Sequence, residues 1–281
     1  TTHHCLMLWT LLCLSFHTIT YAAHSRKRPT VVRREVEPKY DRSITTFSSE
    51  GRLLQVEYGM QAARRGDSVV AMKDQETICI VVNSFDKVHR IDDHVIMVTA
   101  GLAGDGRMLA STVRLQCQQF RQATGEAPST KEVAQMAASL QHELTRTPGA
   151  RPLGCTAILA GVDNCSDLKL FQTDSGGILE ECFYCAAGKG QEKCISSLDV
   201  LLNDLKKETD FVQMIRGMAT VSLDAIQDEN ENEQHQFAHV WIIQGDETRR
   251  GGIHVRCIQK VTRKDLPRLA ESLLEATKAK S

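Results

Sequence analysis

The residues best suited to chemistry in this sequence are its ten cysteines. Cys182 and Cys185 have the C-x-x-C spacing that redox and zinc sites use. No second pair follows, and residues 179–186 are predicted as one strand, in which positions i and i+3 point to opposite faces. The other cysteines lie mostly inside apolar runs, as free buried thiols do in a reducing compartment. The sequence therefore predicts no disulfide framework, no metal site and no cofactor.

The overall charge excludes a broad electrostatic surface. The 281 residues include 34 basic and 35 acidic side chains, for a net charge of −1, and 42% of the residues are apolar. This is an ordinary globular composition, long enough for one large domain or two small ones. The charge balance predicts that the protein binds neither nucleic acid nor an anionic membrane surface.

The first 39 residues differ from the rest, and we interpret them as an N-terminal extension. Residues 5–16 form an apolar run like that of a secretory signal, too short for a transmembrane helix of about 20 residues. The absence of an initiator Met and of a basic segment before the run favours an artefact of the gene model over a targeting signal. Residues 24–39 contain six basic and two acidic side chains, which fit a nuclear import signal or, as we prefer, a flexible solvated collar.

The elements that would position any site lie in residues 40–281. Apolar spacings of three and four residues predict helices, and short β-branched runs predict strands. Helices are expected at about residues 53–65, 105–121, 129–144, 191–205 and 210–226, and from 262 onward. Strands are expected at 68–73, 77–82, 94–100, 154–162, 168–173, 179–186, 237–243 and 253–258. Ser48 or Ser49 is expected to cap the first helix, and Ser129 forms a capping box with Glu132.

The order of these elements predicts the fold class. Pairs of helices stand between sets of strands, which favours two stacked antiparallel sheets over a parallel sheet with strict alternation. The predicted fold is α+β, a four-layer αββα sandwich with helices on both outer faces. No break within residues 40–281 marks a second domain, and the acidic residues 228–233 are interpreted as a surface loop.

The start of this domain resembles a known family. Residues 40–58, YDRSITTFSSEGRLLQVEY, are similar to the amino-terminal signature of proteasome α-type subunits, the outer-ring subunits of the core particle. Further matches follow in order at Ile91-Asp92-Asp93-His94, Ala100-Gly101-Leu102 with Asp105 and Arg107, Arg151-Pro152-Leu153-Gly154, Gly161-Val162-Asp163, Gln172-Thr173-Asp174 and Gly188-Lys189-Gly190. The resemblance implies the αββα fold of the amino-terminal nucleophile hydrolases, in agreement with the order of elements.

That fold raises the alternative of an active threonine hydrolase, in which an N-terminal Thr opens a core strand and its own amine acts as the base. Thr1 and Thr2 do not fit this role, because they precede the predicted domain and its first strand. The corresponding strand follows Asp67, which has neither a hydroxyl nor a free amine. The short connection from Asn83 to Lys87 leaves no place for the supporting lysine. A non-catalytic subunit is therefore favoured.

The resemblance also implies a role in gating. In the family, the α subunits form a seven-membered ring and send their N-terminal tails across an axial pore. The residues matching the family's open-gate cluster are Tyr40, Asp41, Ser49 and Tyr58, and a stacked phenol with Asp41 as acceptor can hold a tail in one of two packings. The family has proline where Ser49 stands, so its fixed φ is lost here. The alternative is a helix-capping Ser49 beside two tyrosines that only stabilise the fold.

Lys87 and Gly66 match a second site of the family. There, a lysine lines a pocket between adjacent subunits and pairs with the C-terminal carboxylate of an activator tail, and the backbone at Gly66 allows a close approach. Residues 82–87 are shorter than the family's segment by roughly a dozen residues, which predicts a shortened strand and loop before the lysine. The alternative for Lys87 is a solvated surface charge.

The implied function is that of a non-catalytic α-ring subunit of the proteasome core particle, which contributes to ring assembly, pore gating and activator docking in protein degradation. The implied partners are other α subunits at its sides, β-type subunits below, and the C-terminal tails of a regulatory particle or activator above. Cytoplasm and nucleus are the expected locations. An exported protein with an α-like body stays as a further alternative.

Overall fold

Two five-stranded antiparallel sheets form the centre of the protein. The computed structural model describes residues 43–163, 167–205, 211–227, 238–246, 252–262 and 264–265. The strands are β1 (Val69–Lys73), β2 (Ile78–Val82), β3 (Val88–Asp92), β4 (Val95–Gly101), β5 (Cys155–Asp163), β6 (Asp167–Thr173), β7 (Leu179–Glu181), β8 (Tyr184–Ala187), β9 (Ala238–Asp246) and β10 (Gly252–Val261). Sheet I has the order β10-β9-β2-β1-β8, and sheet II has the order β3-β4-β5-β6-β7.

Helices cover the outer faces of both sheets. The helices are α1 (Leu54–Arg64), α2 (Ala103–Thr124), α3 (Thr130–Leu144), α4 (Gln191–Leu205) and α5 (Phe211–Gln227), with a 3-10 helix at Phe85–Lys87. Buried residues of α2 and α3 share one apolar cluster with sheet II, and those of α4 and α5 share another with sheet I. The predicted αββα sandwich is confirmed. None of the described helices combines the length and the apolar character that a membrane span needs.

A third apolar cluster lies between the two sheets, and β1 shows how one strand serves two cores. Val69 and Ala71 belong to the cluster between the sheets, whereas Val70 and Met72 belong to the cluster under α4 and α5. Successive side chains of a strand point to opposite faces, so a strand covered on both faces must be apolar at every position. The hairpin of β1 and β2 is confirmed, with Lys73 opposite Ile78.

The two predicted serine caps have different outcomes. The capping box is confirmed, because Ser129 Oγ accepts from the Glu132 N–H at 3.3 Å and Glu132 Oε2 accepts from the Ser129 N–H at 2.7 Å. The cap at Ser48 or Ser49 is wrong, since α1 begins after Leu53 and has no side-chain cap. Ser48 Oγ instead accepts from the Arg52 N–H at 3.1 Å in the preceding turn.

The strand predicted at residues 179–186 is wrong. The structure divides it into β7 in sheet II and β8 in sheet I, with a bend at Phe183. Both pieces are short, and a local pattern does not indicate which sheet each one joins. Strand β3 was not predicted either, because its sequence, Val-His-Arg-Ile-Asp, mixes charged and apolar residues at an exposed sheet edge.

Candidate binding site around Lys87

Lys87 lies where the chain passes from sheet I to sheet II. Only Asn83 and Ser84 separate β2 from the 3-10 helix that ends at Lys87, while β2 and β3 each have five residues. The connection is therefore what is short, and both flanking strands are formed. Asn83 Oδ1 accepts a hydrogen bond from Ser222 Oγ of α5 at 3.1 Å, which ties the connection to the helix layer.

The Lys87 side chain is buried, with 8% of its surface exposed. Its Nζ donates to the backbone carbonyl of Gly101 at 2.5 Å. Among the described residues, no carboxylate oxygen forms an ion pair with this ammonium group. In the single chain, Lys87 is thus a buried charge held by one neutral acceptor and not a solvated surface charge.

Gly66 and Lys87 meet through Gly101. A Cβ built on Gly66 would overlap the backbone nitrogen and Cα of Gly101. Gly101 has φ +118°, a left-handed conformation that favours glycine, and a Cβ there would overlap the carbonyl oxygen of Gly154. Three stretches of main chain therefore pack directly against one another, and the carbonyl that accepts from Lys87 is fixed by that packing.

An ion pair supports the same stretch of chain. Arg151 donates to both carboxylate oxygens of Asp105, at 2.7 Å each, and the Gly154 N–H donates to Asp105 Oδ2 at 2.8 Å. The hydrogen bonds from Arg151, opposed in part by burial, hold the pKa of Asp105 below its usual value. Leu102 N–H donates to the Gly154 carbonyl at 2.9 Å, so the start of α2 is anchored to the loop before β5.

His89 adds a buried polar group near the lysine. Its exposed fraction is 9%, and its Nε2 has no hydrogen-bond partner among the described residues. Burial lowers the pKa of His89, and the charges of Arg114, Arg107 and Lys87 lower it further. A surrounding with this many cations favours an anion and disfavours a second positive charge.

The predicted gate residues are only partly described. Ser49 lies in an exposed turn, and Tyr58 lies on α1 with 36% of its surface exposed. Tyr40 and Asp41 lie outside the described residues, as do Thr1, the rest of the extension and most of the helix predicted from residue 262 onward. The four-residue cluster stays a prediction.

The resemblance places Asp67 at the position of a catalytic nucleophile. Asp67 lies inside the chain, two residues before β1, and is exposed. The next residue, Ser68, has its hydroxyl bonded to the Lys189 carbonyl at 2.5 Å. No group of three or more His, Cys, Asp or Glu side chains is placed to hold a metal ion in the part of the chain that the structure describes.

Sequence reasoning did not assign Gly101, Asp105, Arg151 or His89 to this site. The first three were part of the matched segments, so a signal for them existed, although not for their contact with Lys87. His89 had no signal, because its burial depends on how β3 packs against α2.

The αββα sandwich is the fold of the amino-terminal nucleophile hydrolases. In this chain, an internal Asp67 precedes β1. The family model described as "Proteasome subunit" matches residues 62–240, and the model of the N-terminal signature of A-type proteasome subunits matches residues 40–62. The chain therefore belongs to the proteasome subunit family and carries its α-type signature, which confirms the resemblance.

Individual relatives agree with this assignment. The proteasome alpha subunit of Methanocaldococcus jannaschii is 31% identical over 236 residues, covering 80% of this chain and 87% of the relative. The proteasome alpha subunit of Methanopyrus kandleri is 31% identical over 212 residues, covering 72% and 85%. The alpha type-7 proteasome subunit of Dictyostelium discoideum is 29% identical over 205 residues, covering 69% and 80%.

Proposed function

We propose that the chain is a non-catalytic subunit of the α ring of the proteasome core particle, and that Lys87 with Gly66 forms a pocket for the C-terminal carboxylate of an activator tail. The observation that carries the pocket is the burial of Lys87 against a backbone carbonyl without an ion pair among the described residues. A desolvated ammonium gains more from an incoming carboxylate than an exposed one does. Gly101 holds the receiving geometry in place.

Substitution of the lysine tests the pocket. In particles that contain Lys87→Ala, we expect docking of an activator tail at this pocket to weaken by ~1.5–3 kcal/mol, the contribution of a charge-assisted hydrogen bond. Crosslinking of a tail peptide to purified particles measures this loss locally, because whole-activator binding is multivalent and dilutes it. Lys131→Ala, at an exposed position on α3, is the matched control. Equal crosslinking of the wild type and Lys87→Ala would exclude the pocket.

The non-catalytic role is supported by the segment before β1, where the residue that resembles the nucleophile position is Asp67, which is linked to Gly66 by a peptide bond. We expect that substitution of Thr1, or deletion of residues 1–39, leaves peptide hydrolysis per active site undiminished. Labelling of this chain by a threonine-directed covalent inhibitor would support the hydrolase alternative instead.

The proposed partners are other α subunits at the sides, β-type subunits below, and regulatory-particle or activator tails above. Native electrophoresis of a cell extract should find the chain in a very large complex, since such subunits associate through closed rings. A free species near 31.3 kDa as the only form would contradict this assembly.

The proposed gate consists of Tyr40, Asp41, Ser49 and Tyr58, all within the domain of residues 40–281 that follows the extension of residues 1–39 in the sequence. We propose that the protein works in the cytoplasm and the nucleus. Deletion of residues 1–39 should raise the entry of peptides by removing part of the plug, measured as hydrolysis by closed particles. Unchanged entry would exclude a gating role for the extension.

A further inference from the structure

Cys182 and Cys185 lie on either side of the passage from sheet II to sheet I. The Cys182 N–H donates to the Leu170 carbonyl at 2.9 Å, which continues the edge of sheet II, whereas Cys185 pairs with Ala71 in sheet I. Both side chains pack in the apolar cluster between the sheets. The Cys182 thiol donates to the Glu180 carbonyl at 3.7 Å, and the side chains of Cys182 and Cys185 interact with each other. The expectation that the two thiols point to opposite faces is wrong, because the bend at Phe183 breaks the strand.

The two thiols have different environments. Cys182 is half-buried, whereas Cys185 is 3% exposed. The interaction with Cys185 lowers the pKa of Cys182, and the nearby ammonium of Lys73 acts in the same direction against burial and the carboxylates of Glu180 and Glu181. The same interaction and burial raise the pKa of Cys185. Cys182 is therefore the more acidic and the more accessible of the two thiols, and Cys185 is its buried neighbour.

The other buried cysteines differ from Cys182 and Cys185 in the accessibility and the pKa of their thiols. Cys79 is fully enclosed in β2, and burial raises the pKa of its thiol. Burial also raises the pKa of Cys155, to about 12. These thiols are protected from small oxidants. A metal is also disfavoured at the pair, because no set of three ligating side chains occurs in the described ranges of the chain.

We propose that Cys182 and Cys185 form a reversible dithiol–disulfide site that is oxidised by hydrogen peroxide. The Cys182 thiolate attacks one peroxide oxygen and the O–O bond breaks, which leaves a sulfenic acid on Cys182 and, after proton uptake, one water. The sulfur of Cys185 then attacks the sulfur of Cys182. The S–O bond breaks, and the thiol proton of Cys185 leaves with the hydroxide as a second water. Two electrons from the thiol pair thus reduce one peroxide, and a dithiol reductant reverses the change by exchange.

This site is independent of the docking pocket, and mass spectrometry tests it directly. The full-length chain, in the assembly in which it is purified, is treated with hydrogen peroxide, unfolded in the presence of iodoacetamide and digested with trypsin. The tryptic peptide of residues 170–189 contains Cys182 and Cys185 and no other cysteine. We expect this peptide to become unalkylated and two hydrogen atoms lighter than the dithiol form, and dithiothreitol to restore it. The peptide with Cys79 should stay fully alkylated.

Two variants separate the roles of the thiols. In Cys185→Ser, Cys182 should stop at the sulfenic acid, which dimedone traps. In Cys182→Ser, the oxidation of Cys185 should slow by more than about tenfold, because its thiol is enclosed and protonated. Two free thiols in the wild-type peptide, at a peroxide dose that oxidises free glutathione, would overturn the proposal. Zinc retained by the native chain and lost from both variants would overturn it as well.

Discussion

In the described part of the chain, the polypeptide passes between the sheets from β2 to β3 and from β7 to β8, and the two passages are held in different ways. The first is held by polar side-chain contacts, from Lys87 Nζ to the Gly101 carbonyl and from Ser222 Oγ to Asn83 Oδ1, and the Gly101 carbonyl is itself fixed by main-chain packing against Gly66. The second is held by side chains, with the thiol of Cys185 against Cys182 in the core between the sheets.

The difference shows that the contacts around a passage limit the chemical changes that can occur there. The main-chain packing of Gly66 against Gly101 leaves no room for change beside the first passage, and it fixes the carbonyl that accepts from the Lys87 ammonium group. At the second passage two backbone bonds, from the Lys73 N–H to the Phe183 carbonyl at 2.8 Å and from the Cys182 N–H to the Leu170 carbonyl at 2.9 Å, accompany the side-chain packing. The proposed dithiol–disulfide change lies at this second passage. The following variants test this comparison.

Gly66→Ala should have the largest effect on the first passage. The added methyl group would overlap the backbone of Gly101, and we expect the free energy of unfolding to fall by about 3 kcal/mol or more. Urea denaturation measures the loss. Gly104→Ala is the matched control, because nothing lies within 4 Å of a Cβ at that helical position, and it should stabilise the protein by about 0.5–1 kcal/mol. Similar values for both variants would exclude rigid main-chain packing.

Asp105→Asn tests the ion pair behind the first passage. Arg151 is 61% exposed, so solvent screens the pair, and we expect a loss of about 1–2 kcal/mol, less than for a fully buried pair. Because the folded state lowers the pKa of Asp105, its contribution is complete above about pH 4 and disappears as the pH falls through the lowered value. The control Asp93→Asn, at an 84% exposed side chain, should change stability by less than about 0.5 kcal/mol. An equal loss in both variants would contradict the assignment.

Cys185→Ala should cost about 1 kcal/mol at the second passage, from the lost burial of one sulfur atom. Cys182→Ala should cost less, because its side chain is only half-buried. Thermal unfolding under reducing conditions measures both. A loss for Cys185→Ala as large as that for Gly66→Ala would remove the distinction between the two passages.

The smallest effect is expected from protonation of His89. Its pKa is lowered in the folded state, so the unfolded state binds the proton first, and stability falls as the pH drops below about 6.5. We expect less than about 1 kcal/mol per pH unit, since only one group takes up a proton. His89→Gln should lack this loss between pH 7.5 and 5.5, whereas His142→Gln, at an exposed position, should retain it. An identical pH dependence in both variants would show that His89 is not the group responsible.

The sequence by itself determined the αββα class, the β1–β2 hairpin, the capping box at Ser129 and the family. These features depend on local spacing or on a long matched segment, so they do not require knowledge of the partners in space. The tertiary structure alone decided that residues 179–186 divide between two sheets, that Lys87 bonds to the Gly101 carbonyl, and that Ser49 caps no helix. Periodicity reports which faces of a segment are buried but not which sheet it joins, and a backbone carbonyl has no sequence signature. The contact between Cys182 and Cys185 likewise depends on a bend that only packing between the two sheets imposes.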